Sequence, residues 1–391
     1  MADTPPSNPM LRFRDRYLPK ITPDWRSHRT VVVESDDWGA CEYAPTRALW
    51  EAACEQAPAG SLRNAQYGKL ESPEELERLG ALLDRYPDGN GLPLTLTAFF
   101  CLANPDYARI KATGEYHDLP VDRGFPPLWQ GAGLVAAWRQ AVENGWLSPE
   151  FHSRLHHIHA GEWLRLLKGD GPESEEARRR FEHETYYQNR HYPEYAGMTP
   201  EATWQWIAPA LATFERLFSR RPTAGVTSDA TALTEIIWAA NGIRTFCLRN
   251  FSIPGAAPLV YATKPWNNQD PATPMGAWNP VTDVVYLSRN IFFEPGFDPE
   301  YRFEKIISDI EAVWQRNEPA ILSTHRLNFI SWNREIAARG LSELQRLLAH
   351  LHERGDVHFM TTDEVAQLYR TGRSRRLHQG RELVHCPPLL S

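Results

Sequence analysis

The chain has 391 residues, 42% of them hydrophobic and 23% charged, with a formal net charge of −7. Such a composition suits a globular protein with a sizeable core, and the acidic balance argues against a nucleic-acid partner, which selects basic surfaces. Five scattered cysteines without a C-x-x-C pair argue against a disulfide framework or a thiolate zinc site, and no run of about eighteen apolar residues marks a membrane span.

Residues 1–29 are rich in proline and basic side chains, with no apolar leader segment, and are expected to form an arm on the surface of a cytoplasmic protein. The run "TVVVES" (30–35) reads as a buried strand and ends in the adjacent acids Asp36 and Asp37. Helices are predicted over 45–56 and 72–86. The second has Ser72 as N-cap, Pro73 at the first helical position and Glu75 completing a capping box. "LPLTLTAFF" (92–100) reads as a strand, and 133–151 as a helix ending near Gly145 followed by a short connection.

A polar, aromatic-rich stretch at 169–200, most aromatic over 181–195, lacks core periodicity and is expected to be an excursion over a cleft. Thr199 and Pro200 open a helix to 218. Short strands and helices then alternate to the end, with a strand end in "TAGVTSDA" (223–230) and strands at 243–248, 283–289 and 319–326. One domain over 30–371 is therefore expected, with the insertion at 169–200 and a tail at 372–391. Its class is α/β with a parallel sheet or barrel, in which chemistry collects at the C-terminal strand ends.

Two clusters stand at such ends. Adjacent carboxylates repel, and burial is costly unless a cation or a cationic side chain compensates them. "EFHSRLHHIHAGEW" (150–163) carries His152, His156, His157 and His159. On a helical turn His152 and His156 would face one way, a geometry that can hold one cation; on an extended backbone His157 and His159 would share a face instead. Imidazole suits zinc and other first-row metals.

The combination resembles the polysaccharide deacetylases of the NodB-homology (carbohydrate esterase 4) superfamily. "ESDDWG" resembles its acid-pair strand, "LTLTAFF" the strand after it, "HSRLH" its His-Ser/Thr-x-x-His metal motif, and "AILSTHR" its late strand ending in a histidine. Asn104-Pro105-Asp106, Arg289-Asn290 with Glu294-Pro295, and His325-Arg326-Leu327-Asn328-Phe329 extend the similarity to bacterial members of that superfamily, over about 30–370.

The resemblance implies a distorted (β/α)7-type barrel that removes an N-acyl group from an amino sugar or glycan precursor. It implies one divalent metal on Asp37, His152 and His156, zinc first, with Co2+, Mn2+ or Ni2+ as alternatives. It makes Asp36 the general base and His325 the general acid. Trp38, Asp229, Arg289, Arg326 and Asn328 become candidates for substrate contacts. The superfamily's arginine that orients the base is missing from 224–233; Arg289 or Arg326 is the candidate replacement, and no partner for His325 is identifiable. A glycoside hydrolase on a related barrel and an inactive carbohydrate-binding protein are the competing readings. Nothing in the sequence specifies an oligomeric state.

Overall fold

The computed structural model describes residues 17–56, 68–156, 158–185, 194–227, 232–249 and 273–373. Its strands are β1 (Arg29–Trp38), β2 (Leu96–Phe100), β3 (Ala103–Pro105), β4 (Asp118–Pro120), β5 (Leu147–Phe151), β6 (Ala224–Gly225), β7 (Thr245–Arg249), β8 (Trp278–Asn279), β9 (Val284–Arg289), β10 (Ile291–Phe292), β11 (Ala320–His325) and β12 (Val357–Phe359). Seven of them, ordered β11-β1-β2-β5-β6-β7-β9, pair in parallel. Strand β10 begins two residues past β9 and pairs with β11, so the stretch Val284–Phe292 borders β7 at its start and β11 at its end. Across this stretch the chain passes from one end of the strand order to the other, within the mostly parallel α/β architecture expected. Strand β12 pairs with the first residues of β1, β8 lies antiparallel on β9, and β3 and β4 form a separate two-stranded ribbon.

Alternation along β1 divides its side chains between two layers. Val31 and Val33 enter the large core beneath the helices, together with Leu79, Leu96, Trp138, Phe214 and Leu347. Val32 faces the barrel interior with Val285, Leu287 and Ile321. Further along β1 the interior turns polar: Glu34 and Asp36 follow Val32 at the period-two positions, and both are buried.

Helix boundaries follow local chemistry where the sequence carries caps. Ser72 accepts from the Glu75 amide and Glu75 answers in a full capping box; Thr199 caps the helix Pro200–Phe218. Asp106 caps Tyr107–Thr113.

Three expectations need correction. The connection expected after Gly145 contains strand β5; Pro149 in "LSPEF" disguised a strand that pairs with β2 along its length. The excursion at 169–200 contains the helix Pro172–Glu182, while 186–193 of its aromatic segment lie outside the described residues. The N-terminal arm does not simply lie on the surface: Trp25 is buried against Val32 and Val365, and its Nε1 donates to Tyr369 Oη at 2.9 Å. Residues 1–16 and 374–391 of the arm and tail lie outside the described residues. Cys41, Cys54, Cys101 and Cys247 are free thiols. Among the described residues no helix is long and apolar enough to cross a membrane.

Gly39 closes β1 at φ +78°, and a Cβ there would lie 3.0 Å from the Cys101 carbonyl oxygen and 3.3 Å from the Trp138 ring. Both terms oppose any side chain. Gly39→Ala is expected to destabilise the fold by about 1–3 kcal/mol, read by urea denaturation; an unchanged midpoint would contradict this account of the turn.

Candidate metal centre and active site

The two acids of β1 can face one site because of a bulge. Between its pairings with β2, β1 advances from Ser35 to Trp38 while β2 advances only from Ala98 to Phe100. The extra residue is absorbed at Asp37, which has φ +73°. Asp36 keeps the interior face, where it is the register partner of His325 on β11. Asp37 is re-aimed toward the loop after β5, and Trp38 is turned into the helix-side core.

That loop is not a helical turn, contrary to the expectation for "HSRLH". It is irregular, with Ser153 at φ +72° and His156 at φ +64°. The two imidazoles converge nonetheless, their ring centroids 4.7 Å apart. Each Nε2 meets Asp37 Oδ1, at 3.2 Å from His152 and 3.1 Å from His156. Three buried side chains thus offer ligand atoms within 4.8 Å of one another.

The donor chemistry fits a cation. His152 Nδ1 lies 2.8 Å from the Val226 carbonyl oxygen, which can only accept, so Nδ1 carries the proton and the lone pair of a neutral ring sits on Nε2. His156 Nδ1 meets the Glu42 carboxylate in the same way. Both Nε2 lone pairs then point at a carboxylate oxygen. Positive charge is required between them, and one divalent ion supplies it with the ligand types that zinc favours. Where protons on the two rings supply that charge instead, burial pushes the Asp37 carboxyl up, but the charges of His156 and His325 and the charge and hydrogen bond of His152 outweigh it and hold the group well below the usual carboxylate range.

Beside this trio, Arg289 extends inward from the end of β9. Its NH1 and NH2 grip the two oxygens of Asp36 at 2.6 Å each, and its Nε donates to Glu34 Oε2 at 2.5 Å. Arginine and both acids are fully buried. Burial alone would push Asp36 up; Arg289 outweighs it and keeps the carboxyl far below its ordinary range, hence ionised. Glu34 is held in turn by Thr362 Oγ1 at 2.7 Å. Of the two candidate replacements for the missing arginine, Arg289 is the one bound to Asp36. Arg326 instead donates to the carbonyls of Asp37, Ala40 (2.7 Å) and Lys69 and lies 3.3 Å from Glu71, pinning the chain after β1. Asn104 completes that clamp, accepting from Cys41 N at 2.7 Å and donating to the Gly39 carbonyl at 3.0 Å.

His325 has a partner that the sequence did not reveal. Its Nδ1 lies 2.5 Å from Glu294 Oε1, and Asn328 Nδ2 donates to Glu294 Oε2. The imidazole keeps 20% of its side-chain surface exposed, whereas Glu294 is fully buried. Burial pulls the histidine down, but Glu294, Asp37 and Asp36 outweigh it and push it up to about 9.

The remaining candidates separate clearly. Trp38, Arg289, Arg326 and Asn328 are all fully buried, so each supports the site from behind and none presents surface to a substrate. Trp38 packs on Phe100 and donates to Ser35 Oγ at 3.1 Å. His159 is an N-cap, its Nδ1 accepting from Glu162 N at 3.0 Å. Asp229 and His157 lie outside the described residues. Glu34, Glu42, Glu71 and Glu294 were missed; only the position of Glu294 in "FEP" and Glu34 in "ESDDWG" hinted at a role, and Glu42 and Glu71 carried no signal.

No family model and no curated protein matches the chain. Solved structures similar to it include a Mycobacterium smegmatis protein described as a polysaccharide deacetylase, at 12% identity and TM-score 0.46, covering 95% of this chain and all of that one. A Pseudomonas aeruginosa PAO1 protein of the same description shows 11% identity and TM-score 0.45 over 88% of this chain and 92% of its own. The Puue allantoinase shows 13% identity and TM-score 0.44 over the same shares. At such identities and scores the chemistry has to be argued from the residues themselves.

The His325–Glu294 pair makes a signed prediction. A histidine raised from 6.5 to about 9 in the fold adds stability that is fully present below 6.5 and is lost as pH rises through about 9. Thermal melts of wild type and Glu294→Gln should therefore differ most near pH 6 and converge above pH ~9. A difference that widens with rising pH would contradict the pairing.

Proposed function

We propose that this chain is a metal-dependent hydrolase that removes an N-acyl group, acetyl first, from an amino sugar or a sugar-containing precursor. One juxtaposition carries the reading. Asp36, oriented by Arg289, is the register partner of the glutamate-backed His325, and the next residue, Asp37, meets both His152 and His156.

Asp37, His152 and His156 would hold the ion. A divalent cation, zinc first, supplies Lewis acidity toward water and toward an acyl oxygen. Asp36 takes a proton from the attacking water. The Arg289 fork keeps its carboxylate ionised and fixes its plane, so the acceptor oxygen needs no reorientation. His325 stands on the neighbouring strand as an imidazolium at neutral pH. With Nδ1 committed to Glu294, its Nε2 proton is the one available to a leaving group. The C–N bond breaks, the amine departs with that proton, and the carboxylic acid product retains the oxygen of the water.

An amine departs poorly without a proton, so a histidine held protonated favours amides over esters. The sugar class comes from the motif resemblance. The inactive binding-protein alternative drew its support from an absent arginine, and Arg289 removes that support. A glycosidase needs two free carboxylates across a sugar bond. Here one acid is gripped by Arg289 and the other faces the histidine pair.

Screening N-acetylated amino sugars for amine release, with Asp36→Asn and His325→Ala beside wild type, tests the roles. Each variant is expected to lose about 10²–10⁴ in kcat, with Asp36→Asn retaining its metal. Full activity of Asp36→Asn on a substrate that wild type hydrolyses would overturn the mechanism.

A further inference from the structure

We infer that Glu42 is a positioning residue that sets the metal affinity of the centre through His156, an inference that rests on the metal-centre reading above. The two histidines are backed unequally. His152 Nδ1 donates to a neutral carbonyl, that of Val226, at 2.8 Å, whereas His156 Nδ1 meets the carboxylate of Glu42. Both contacts are buried.

A full negative charge behind an imidazole draws its proton away and raises electron density at the opposite nitrogen more than a carbonyl does. His156 is therefore the stronger donor of the pair, and Glu42 adds a second carboxylate charge to a centre whose only directly facing acid, among the described residues, is Asp37. The backbone explains why an acid at 42 can reach. Gly39 and Tyr43, both at positive φ, bracket the segment, and Asn104 and Arg326 fix Gly39, Ala40 and Cys41 by their backbone groups. Glu42 thus leaves a clamped chain, and its carboxylate is delivered to Nδ1 without relying on a flexible loop.

The rest of the loop carrying His156 is held by contacts that avoid the ring. Glu194 Oε1 accepts from the amides of Arg154 and Leu155, Tyr195 Oη donates to Ser153 Oγ at 3.0 Å, and Arg154 forks onto Asp118 at 2.6 and 2.9 Å. Loss of the charge on Glu42 should therefore alter the donor without releasing the loop.

Glu42→Gln keeps the volume and an acceptor for Nδ1 and removes only the charge. Chelator competition with zinc alone, on the full chain at one pH, should give an affinity about 10–100-fold weaker than wild type at the same stoichiometry. The zinc-induced rise in melting temperature should shrink accordingly, and the cobalt-loaded variant should show a shifted visible spectrum. A purely structural role would lower the metal-free melting temperature and leave the affinity and the cobalt spectrum unmoved. Should Glu42→Gln fail to fold, Glu42→Asp, which keeps the charge but withdraws it by one methylene, should weaken zinc in the same direction. Wild-type affinity in whichever variant folds overturns the inference. Failure of wild type itself to bind zinc, cobalt, manganese or nickel overturns the metal centre on which it rests, and so separates the two.

Discussion

One buried guanidinium organises this molecule. Arg289 lies between Glu34 and Asp36 with no exposed surface, giving Asp36 a bidentate grip and Glu34 its Nε. A carboxylate in such surroundings either finds a cation or takes up a proton, and breaking a buried pair on one side costs about 3–5 kcal/mol. The consequences run in two directions. Structurally, a side chain from β9 is bound to β1 through the barrel interior, beside the point where Val284–Phe292 passes from β7 to β11. Chemically, Asp36 stays ionised and fixed in its plane. Thr362 donates to Glu34 on one side of the triad, and the Phe99 ring centroid lies 5.0 Å from the guanidinium carbon on another, a cation–π contact.

Around that ion triad, each motif residue has a support task. Asn104 and Arg326 hold the chain after β1, Glu294 and Asn328 hold His325, and Asn290 ties β11 by accepting from Ile321 N at 2.8 Å. The side chains that converge on the candidate site are few, and the buried residues behind them are many. This distribution lets Asp37 and His156 remain at positive φ, where a residue other than glycine costs roughly 1–3 kcal/mol. Strain at Asp37 and His156 persists because the surrounding hydrogen bonds over-determine the loop.

Much of this was legible in the sequence and some of it could not be. Residue type and position at strand ends were readable: Asp36 and His325 are register partners, and Asp37 meets His152 and His156. Trp38, a substrate-contact candidate by resemblance, would share the face of Asp36 on a regular strand. The bulge at Asp37 reverses the face, and a bulge has no local signature when its extra residue is not glycine. The helical reading of "HSRLH" failed for a related reason. The convergence of the two rings is produced by left-handed residues at Ser153 and His156, and the long-range bonds from Glu194 and Tyr195 impose that conformation. Glu34, Glu42 and Glu294 act across 255, 114 and 31 residues of sequence respectively, and pairings of that range have no expression in local pattern.

The central claim is that Asp37, His152 and His156 hold a divalent ion while Asp36 remains with Arg289. Anomalous diffraction at the zinc edge, from crystals of the zinc-loaded protein, tests both halves at once. The account predicts a single strong peak between Asp37 and the Nε2 atoms of His152 and His156, with Asp36 still in the arginine fork. No peak at that position, or an ion bound by Asp36 with Arg289 displaced, would contradict it.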